Sequence, residues 1–244
     1  MSVPLSFESV SVTFPDGTAA LDSVDLAIGR GEFVAIVGPS GCGKSTLLRV
    51  ASGLQQATGG QVGSDGSAIG YVFQDATLLP WRTVEGNVSL LAELEGIKGE
   101  ERTSRVRDAL ATVGLTEWSG HLPRQLSGGM RMRVSLARSL VLRPGVFLFD
   151  EPFGALDEMT RERLNDELQA LFCREGFAGL FVTHSVAEAV YLASRVVVMS
   201  PRPGRIVADI PVPFPFPRSH DLRYGAAFGE TCAQVSRALR ETDA

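Results

Sequence analysis

The sequence predicts an α/β fold built on a parallel sheet, with an antiparallel β segment ahead of it and a helical segment inserted into it. Three observations carry that expectation. Short continuous apolar runs at 33–37, 146–149, 179–182 and 196–199 read as strands buried on both faces. Helical patterns separate these runs, and strands alternating with helices build parallel sheets. From Thr83 to Val141 the texture is helical throughout, so a subdomain of about 83–142 interrupts the core.

The elements follow in order. Apolar residues alternate with polar ones at Leu5, Phe7, Val10 and Val12, then at Leu21, Val24, Leu26 and Ile28, with Asp16-Gly17 between the two series. This pattern gives antiparallel strands joined by turns. After the run at 33–37 a Gly-rich turn leads into a helix from about Lys44 to Ser52, stopped by Gly53. Val106, Ala109, Leu110 and Val113 share one helical face, with Gly114 as its C-cap. Met130, Val134, Ala137 and Val141 repeat the pattern over 127–142, and a further helix spans 157–173. Prolines at 211, 213, 215 and 217 exclude a helix or central strand, so an extended surface strap is expected there, followed by a short polar helix over about 225–240.

Composition narrows the class. With 244 residues, 44% hydrophobic and 21% charged, the chain can bury a core without disulfides or metals. No apolar run approaches the ~20 residues needed to cross a bilayer. The first residues carry no basic stretch followed by an apolar one, so no secretory signal is expected. Cys42, Cys173 and Cys232 are too scattered for a disulfide framework or a zinc site, and a reducing cytoplasm fits. The net charge of -5 offers no electrostatic footprint for nucleic acid.

Chemistry enters at Gly38, Pro39, Ser40, Gly41, Cys42, Gly43, Lys44 and Ser45, which match the P-loop pattern G-x-x-x-x-G-K-S/T between a buried strand and a helix, with Thr46 next in the helix. Its glycines let backbone N–H groups curl around phosphate oxygens, and the helix N-terminus adds its positive dipole end. Lys44 is placed to reach the β- and γ-phosphates, and Ser45 to offer a hydroxyl to Mg²⁺. Cys42 lies within the loop, so thiol modification is expected to block nucleotide binding and ATP to protect. The run at 146–149 ends in Asp150 and Glu151. Asp150 at a strand's carboxyl end can hold Mg²⁺, and Glu151 can polarise an attacking water as general base. Alone, that pair could equally be a solvated acidic turn. Ser127 reads as a helix N-cap before Gly128 and Gly129, whose amides can approach an anion.

Together these stretches resemble the ABC ATPases, whose signature is Leu-Ser-Gly-Gly-Gln where this chain has Leu126-Ser127-Gly128-Gly129-Met130. The resemblance spans roughly residues 5 to 210 and implies a P-loop NTPase (RecA-like) core in one ATPase domain. It makes Gln74 the Q-loop residue on Mg²⁺ and water, Asp157 the D-loop residue at a dimer interface, and His184 the switch histidine on the γ-phosphate. Phe14 resembles the aromatic that stacks on adenine, although a core aromatic is the competing reading. Met130 departs from the pattern, and Ser185 stands where relatives often carry an acid. The segments 73–81 and 199–206 look like the nitrate, sulfonate and taurine branch of bacterial importers. The implied assembly is a homodimer closing head to tail around ATP, with Ser127, Gly128 and Gly129 of one copy facing the nucleotide of the other. It sits peripherally on the cytoplasmic face of the membrane, served by a membrane permease and, indirectly, a periplasmic or lipoprotein solute-binding protein. Leu78, Leu79, Pro80 and Trp81 are expected to help dock the permease, or else to form a local core. A nucleic-acid ATPase and a catalytically silent subunit are the competing functions. The acidic balance opposes the first, and the intact Lys44, Asp150, Glu151 and His184 oppose the second.

Overall fold

The structure, a computed structural model, describes residues 3–242. Three antiparallel strands, β1 (Leu5–Thr13), β2 (Ala19–Ile28) and β4 (Gly59–Ser64), form one sheet in the order β2-β1-β4. The second sheet contains β3 (Phe33–Val37), β5 (Ile69–Val72), β6 (Val146–Asp150), β7 (Ala178–Val182), β8 (Arg195–Met199) and β9 (Ile206–Pro211), in the order β5-β6-β7-β3-β8-β9. All its neighbours run parallel except β9, which pairs antiparallel with β8. The predicted apolar runs are therefore the central strands. β4 went unpredicted because Gly59–Ser64 is polar, Gly-rich and barely buried.

Alternation along the central strands divides the core in two. On β3, Phe33, Ala35 and Val37 face one cluster while Val34 and Ile36 face the other. On β6, Phe147 and Phe149 oppose Val146 and Leu148. The first face packs against α5 (Glu158–Glu175), α6 (Val186–Leu192) and α7 (Ala226–Glu241). The second packs against α1 (Lys44–Ala51) and the β1–β2 hairpin. A third cluster unites α2 (Val84–Leu94), α3 (Gly99–Thr112) and α4 (Gly128–Leu140), with Val106, Ala109, Leu110, Val134 and Ala137 at its centre. Met130 packs against this cluster. Gly114 follows α3 at φ +67°, as a C-cap glycine does.

Two expectations at the C-terminus need correction. The proline strap does not simply lie on the surface. β9 pairs with β8, and then Val212, Phe214 and Phe216 turn inward onto the first core. Phe216 meets Phe172 edge-on, with ring centroids 5.0 Å apart. Arg218 fastens the strap by donating to the last carbonyls of α6, at Val190 (2.8 Å), Tyr191 (2.7 Å) and Ala193 (3.0 Å). The closing helix α7 is amphipathic rather than polar, since Phe228 and Val235 are buried. Proline spacing shows where ladders cannot form, but not which way the residues between the prolines point.

Candidate active site

The loop 38–43 turns back over the carboxyl edge of the parallel sheet, where ligands of open α/β sheets bind. Gly43 caps α1 at φ +108°, and a Cβ there would lie 2.7 Å from the Ala20 carbonyl oxygen, so no other residue fits. Lys44 is buried, and its Nζ donates to the carbonyls of Gly38 (2.8 Å) and Pro39 (2.9 Å). The loop's own backbone thus holds an ammonium at its centre. A cavity of about 190 Å³ opens here, lined by Ser40, Gly41, Lys44, Ser45, Thr46 and Glu151 among others. A larger cavity of about 320 Å³ lies between α4 and α5, lined chiefly by apolar side chains such as Val72, Leu136, Phe149 and Leu168.

Ser45 Oγ donates to Asp150 Oδ1 at 2.7 Å, and the Tyr71 hydroxyl donates to Oδ2 at 3.2 Å. Burial first, and then the Asp150 charge, push the Tyr71 phenol well above its ordinary pKa, so it remains a donor at neutral pH. A hydroxyl beside a carboxylate is a hard-oxygen donor set, which fits Mg²⁺ better than a soft metal.

Glu151 and His184 meet because β6 and β7 are neighbours in register. Asp150 pairs with Val182, and each chain then runs a step or two past the sheet edge. The Glu151 N–H bonds the Val182 carbonyl at 3.0 Å, and its Oε2 lies 3.3 Å from His184 Nδ1. Glu151 has φ +46°, a strained left-handed backbone for a residue other than glycine. Strain of this kind, costing about 1–3 kcal/mol, concentrates at functional sites.

The other predicted residues sit apart from this cluster. Ser127 is an exposed N-cap of α4, its hydroxyl accepting the Met130 N–H at 3.2 Å. Gly128 abuts Leu156, and Gly129 is buried. Asp157 caps α5, accepting the Thr160 N–H at 3.0 Å, and that bond holds its carboxyl below the usual range. The signature and D-loop residues are thus neighbours, and none of them lines the cavity of their own chain. Gln74 is exposed and makes no hydrogen bond among the described residues. Phe14 is half-buried against the β1–β2 core and outside the cavity lining. Cys42 is fully buried, with Sγ 3.8 Å from Lys44 Nζ.

The permease-docking expectation divides. Leu78 packs into the helical cluster, while Trp81 is 74% exposed. The loop behind Trp81 is tied down from two sides. Buried Asn87 bonds Leu79, Arg82 and Thr83, and buried Arg138 donates to the carbonyls of Ala76 and Thr77 at 3.0 Å. Sequence reasoning missed Tyr71, Asn87 and Arg138. Only the position of Tyr71, at a strand end just before Gln74, offered a signal.

A strand, glycine loop and helix with paired carboxylates across the sheet edge define a P-loop ATPase. A family model described as ABC transporter matches residues 21–154. The chain is 42% identical over 236 residues to the taurine import ATP-binding protein TauB of Rhizobium johnstonii, covering 92% of this chain and 90% of that protein. It is 50% identical over 207 residues to the aliphatic sulfonates import ATP-binding protein SsuB of Ralstonia nicotianae, covering 81% and 69%. Among solved structures it is similar to the dimeric post-hydrolysis state of the ATP-binding cassette MJ0796 bound to ADP and Pi, with TM-score 0.75, 32% identity and coverage of 86% and 99%. The chain belongs to the ABC transporter family and is an ATP-binding ATPase.

Proposed function

We propose that this chain energises import of a small solute of the nitrate, sulfonate or taurine class through a separate membrane permease. One observation carries the reading: a complete phosphate cradle faces outward on one side, and a serine-capped helix N-terminus faces outward elsewhere on the same chain. Each half lacks what the other offers, so two copies closing head to tail would grip each ATP between Lys44 of one and Ser127 of its mate. Two positively polarised helix ends sharing one polyanion supply the closing force.

In this reading the whole chain is one ATPase domain, with its helical subdomain at about 83–142 and the strap and last helix at about 206–244. The amides of loop 38–43, Ser45 and Thr46 orient the phosphates, and Lys44 leaves its carbonyl partners for the β- and γ-phosphates. Ser45, Asp150 and Gln74 would hold Mg²⁺, which when bound offsets phosphate charge and keeps the triphosphate in line. Glu151 orients and deprotonates the attacking water, and His184, supported by its contact with Glu151, faces the γ-phosphate. Phe14 stacks on adenine, and Asp157 lies at the dimer seam. No described helix is long and apolar enough to cross a membrane, and the permease supplies that path. The rigid loop presenting Trp81 is its docking point, on the cytoplasmic face, while a solute-binding protein selects the cargo outside. The relatives named for taurine and sulfonate import support the solute class.

A test is to recover the tagged chain from native membranes with its partners and reconstitute them in vesicles. ATP-dependent uptake of labelled taurine or an alkanesulfonate, lost on Lys44→Ala, is the expected result. An active ATPase that recovers no membrane protein, or that binds DNA in a salt-dependent way, would sink the proposal.

A further inference from the structure

One charged residue lining the Lys44 cavity has so far been given no role in the site: Arg202, on the turn joining β8 to β9. The turn is fastened in place. Gly204 N–H donates to the Ala20 carbonyl at 2.9 Å, and the Gly204 carbonyl accepts from Asp22 N–H at 3.1 Å. A Cβ on Gly204 would lie 2.1 Å from the Cys42 carbonyl oxygen, so the turn's backbone rests directly on the P-loop.

The two arginines of this turn are used differently. Arg205 is spent on Asp22, its Nε 2.9 Å from the carboxylate. Arg202 is in no ion pair among the described residues. Its Nε donates to the Gly41 carbonyl at 3.2 Å, which sets the guanidinium at the cavity mouth. A guanidinium carries five N–H donors in a planar fork, so this one bond leaves most of them uncommitted. Its charge also reaches the Phe14–Asp16 turn. The Asp16 carboxyl is lowered chiefly by the Thr18 N–H, with Arg202 as a smaller contributor. A partly free cation between Gly41 and the Asp16 turn, beside Lys44, has the chemistry to take phosphate oxygens.

We propose that Arg202 is a further nucleotide-binding residue, its guanidinium bonding phosphate oxygens of the triphosphate held by loop 38–45. The assignment rests on the nucleotide site described above. A competing role is purely structural: Arg202 would only brace the Gly41 carbonyl, which would affect every ligand of the loop alike.

The experiment is calorimetric titration of ATP, ADP and adenosine into the wild type, Arg202→Gln, Arg202→Lys and Lys44→Ala, at two salt concentrations. Arg202→Gln should weaken ATP about fivefold, as expected for an exposed charge-assisted contact. ADP should lose no more than that, adenosine should be unaffected, and the loss should shrink at high salt. Arg202→Lys should recover part of the ATP affinity, since it keeps the charge and loses the fork. Unchanged ATP affinity in Arg202→Gln, with Lys44→Ala impaired, overturns the role of Arg202 and leaves the site intact. Equal losses for ATP and ADP that do not shrink at high salt overturn it in favour of bracing. A wild type that binds no ATP overturns both readings. Arg202 is exposed, and a thermal midpoint within about 2 °C of wild type would show each variant folded.

Discussion

Asn87→Leu tests how the loop presenting Trp81 is held. Asn87 is fully buried yet polar, and its side chain adds to the sparse backbone pairing of the loop at 79–83. Its Nδ2 donates to the carbonyls of Leu79 (3.1 Å), Arg82 (3.0 Å) and Thr83 (3.0 Å), while Oδ1 accepts the Leu79 N–H at 2.7 Å. Leucine matches the volume and supplies none of these bonds. The Thr83 carbonyl keeps its helical bond from the Asn87 N–H, at 2.9 Å, and the Leu79 carbonyl keeps its bond from the Arg82 N–H, at 3.1 Å. Two groups are then left without a partner: the Leu79 N–H and the Arg82 carbonyl. At about 1 kcal/mol each the loss is roughly 2 kcal/mol. For a chain of this size each kcal/mol shifts the midpoint by about 2–4 °C, so Tm should fall by roughly 4–8 °C. Hydrogen exchange should show the Leu79 amide losing protection. ATP affinity should hold, because Asn87 touches nothing in the nucleotide cavity, while permease-stimulated ATPase should drop. A midpoint within about 2 °C of wild type, with Leu79 still protected, would refute the reasoning.

Three more outcomes follow from buried groups. Arg218→Met removes the donors that close α6 and should cost about 3 kcal/mol, read as a lower urea midpoint at constant slope, and an unchanged midpoint would show that water replaces them. Burial raises the Glu188 carboxyl above its ordinary pKa, so the folded state holds its proton longer than the unfolded chain does. Its contribution is complete below the unfolded carboxylate pKa and is lost as pH rises through the raised value. Glu188→Gln should flatten that decline between acidic and neutral pH, and parallel stability–pH curves for variant and wild type would contradict the burial argument. Of the three thiols only Cys173 is exposed, so maleimide labelling followed by mass spectrometry should find it first and Cys42 only on unfolding, and early labelling of Cys42 would contradict its burial.

The legible parts of the fold were those encoded by local pattern. β3 and β6 are unbroken apolar runs because both faces are covered, and their buried residues divide strictly between two cores. The phosphate loop was legible because its chemistry demands closely spaced glycines beside a lysine and a hydroxyl. What escaped is non-local. Arg218 caps a helix whose carbonyls lie some 25 to 28 residues earlier, and nothing around it marks a C-cap. Tyr71 and Ser45 converge on Asp150 from β5 and α1, a meeting fixed only by strand order. The strap showed its prolines but not its inward phenylalanines. Gln74 illustrates the converse: its position in the motif order was plain, yet among the described residues its side chain engages nothing. Among the described residues, Ser127 and Asp157 bond their own helix N-termini.

The most direct measurement is light scattering of Glu151→Gln with saturating ATP and Mg²⁺, alone and combined with Ser127→Glu. Loss of the general base should stop turnover and accumulate a particle of twice the monomer mass. The added carboxylate should repel the shared phosphates and return it to monomer. A Glu151→Gln chain that stays monomeric, or a dimer indifferent to the charge at position 127, would contradict the shared-triphosphate account.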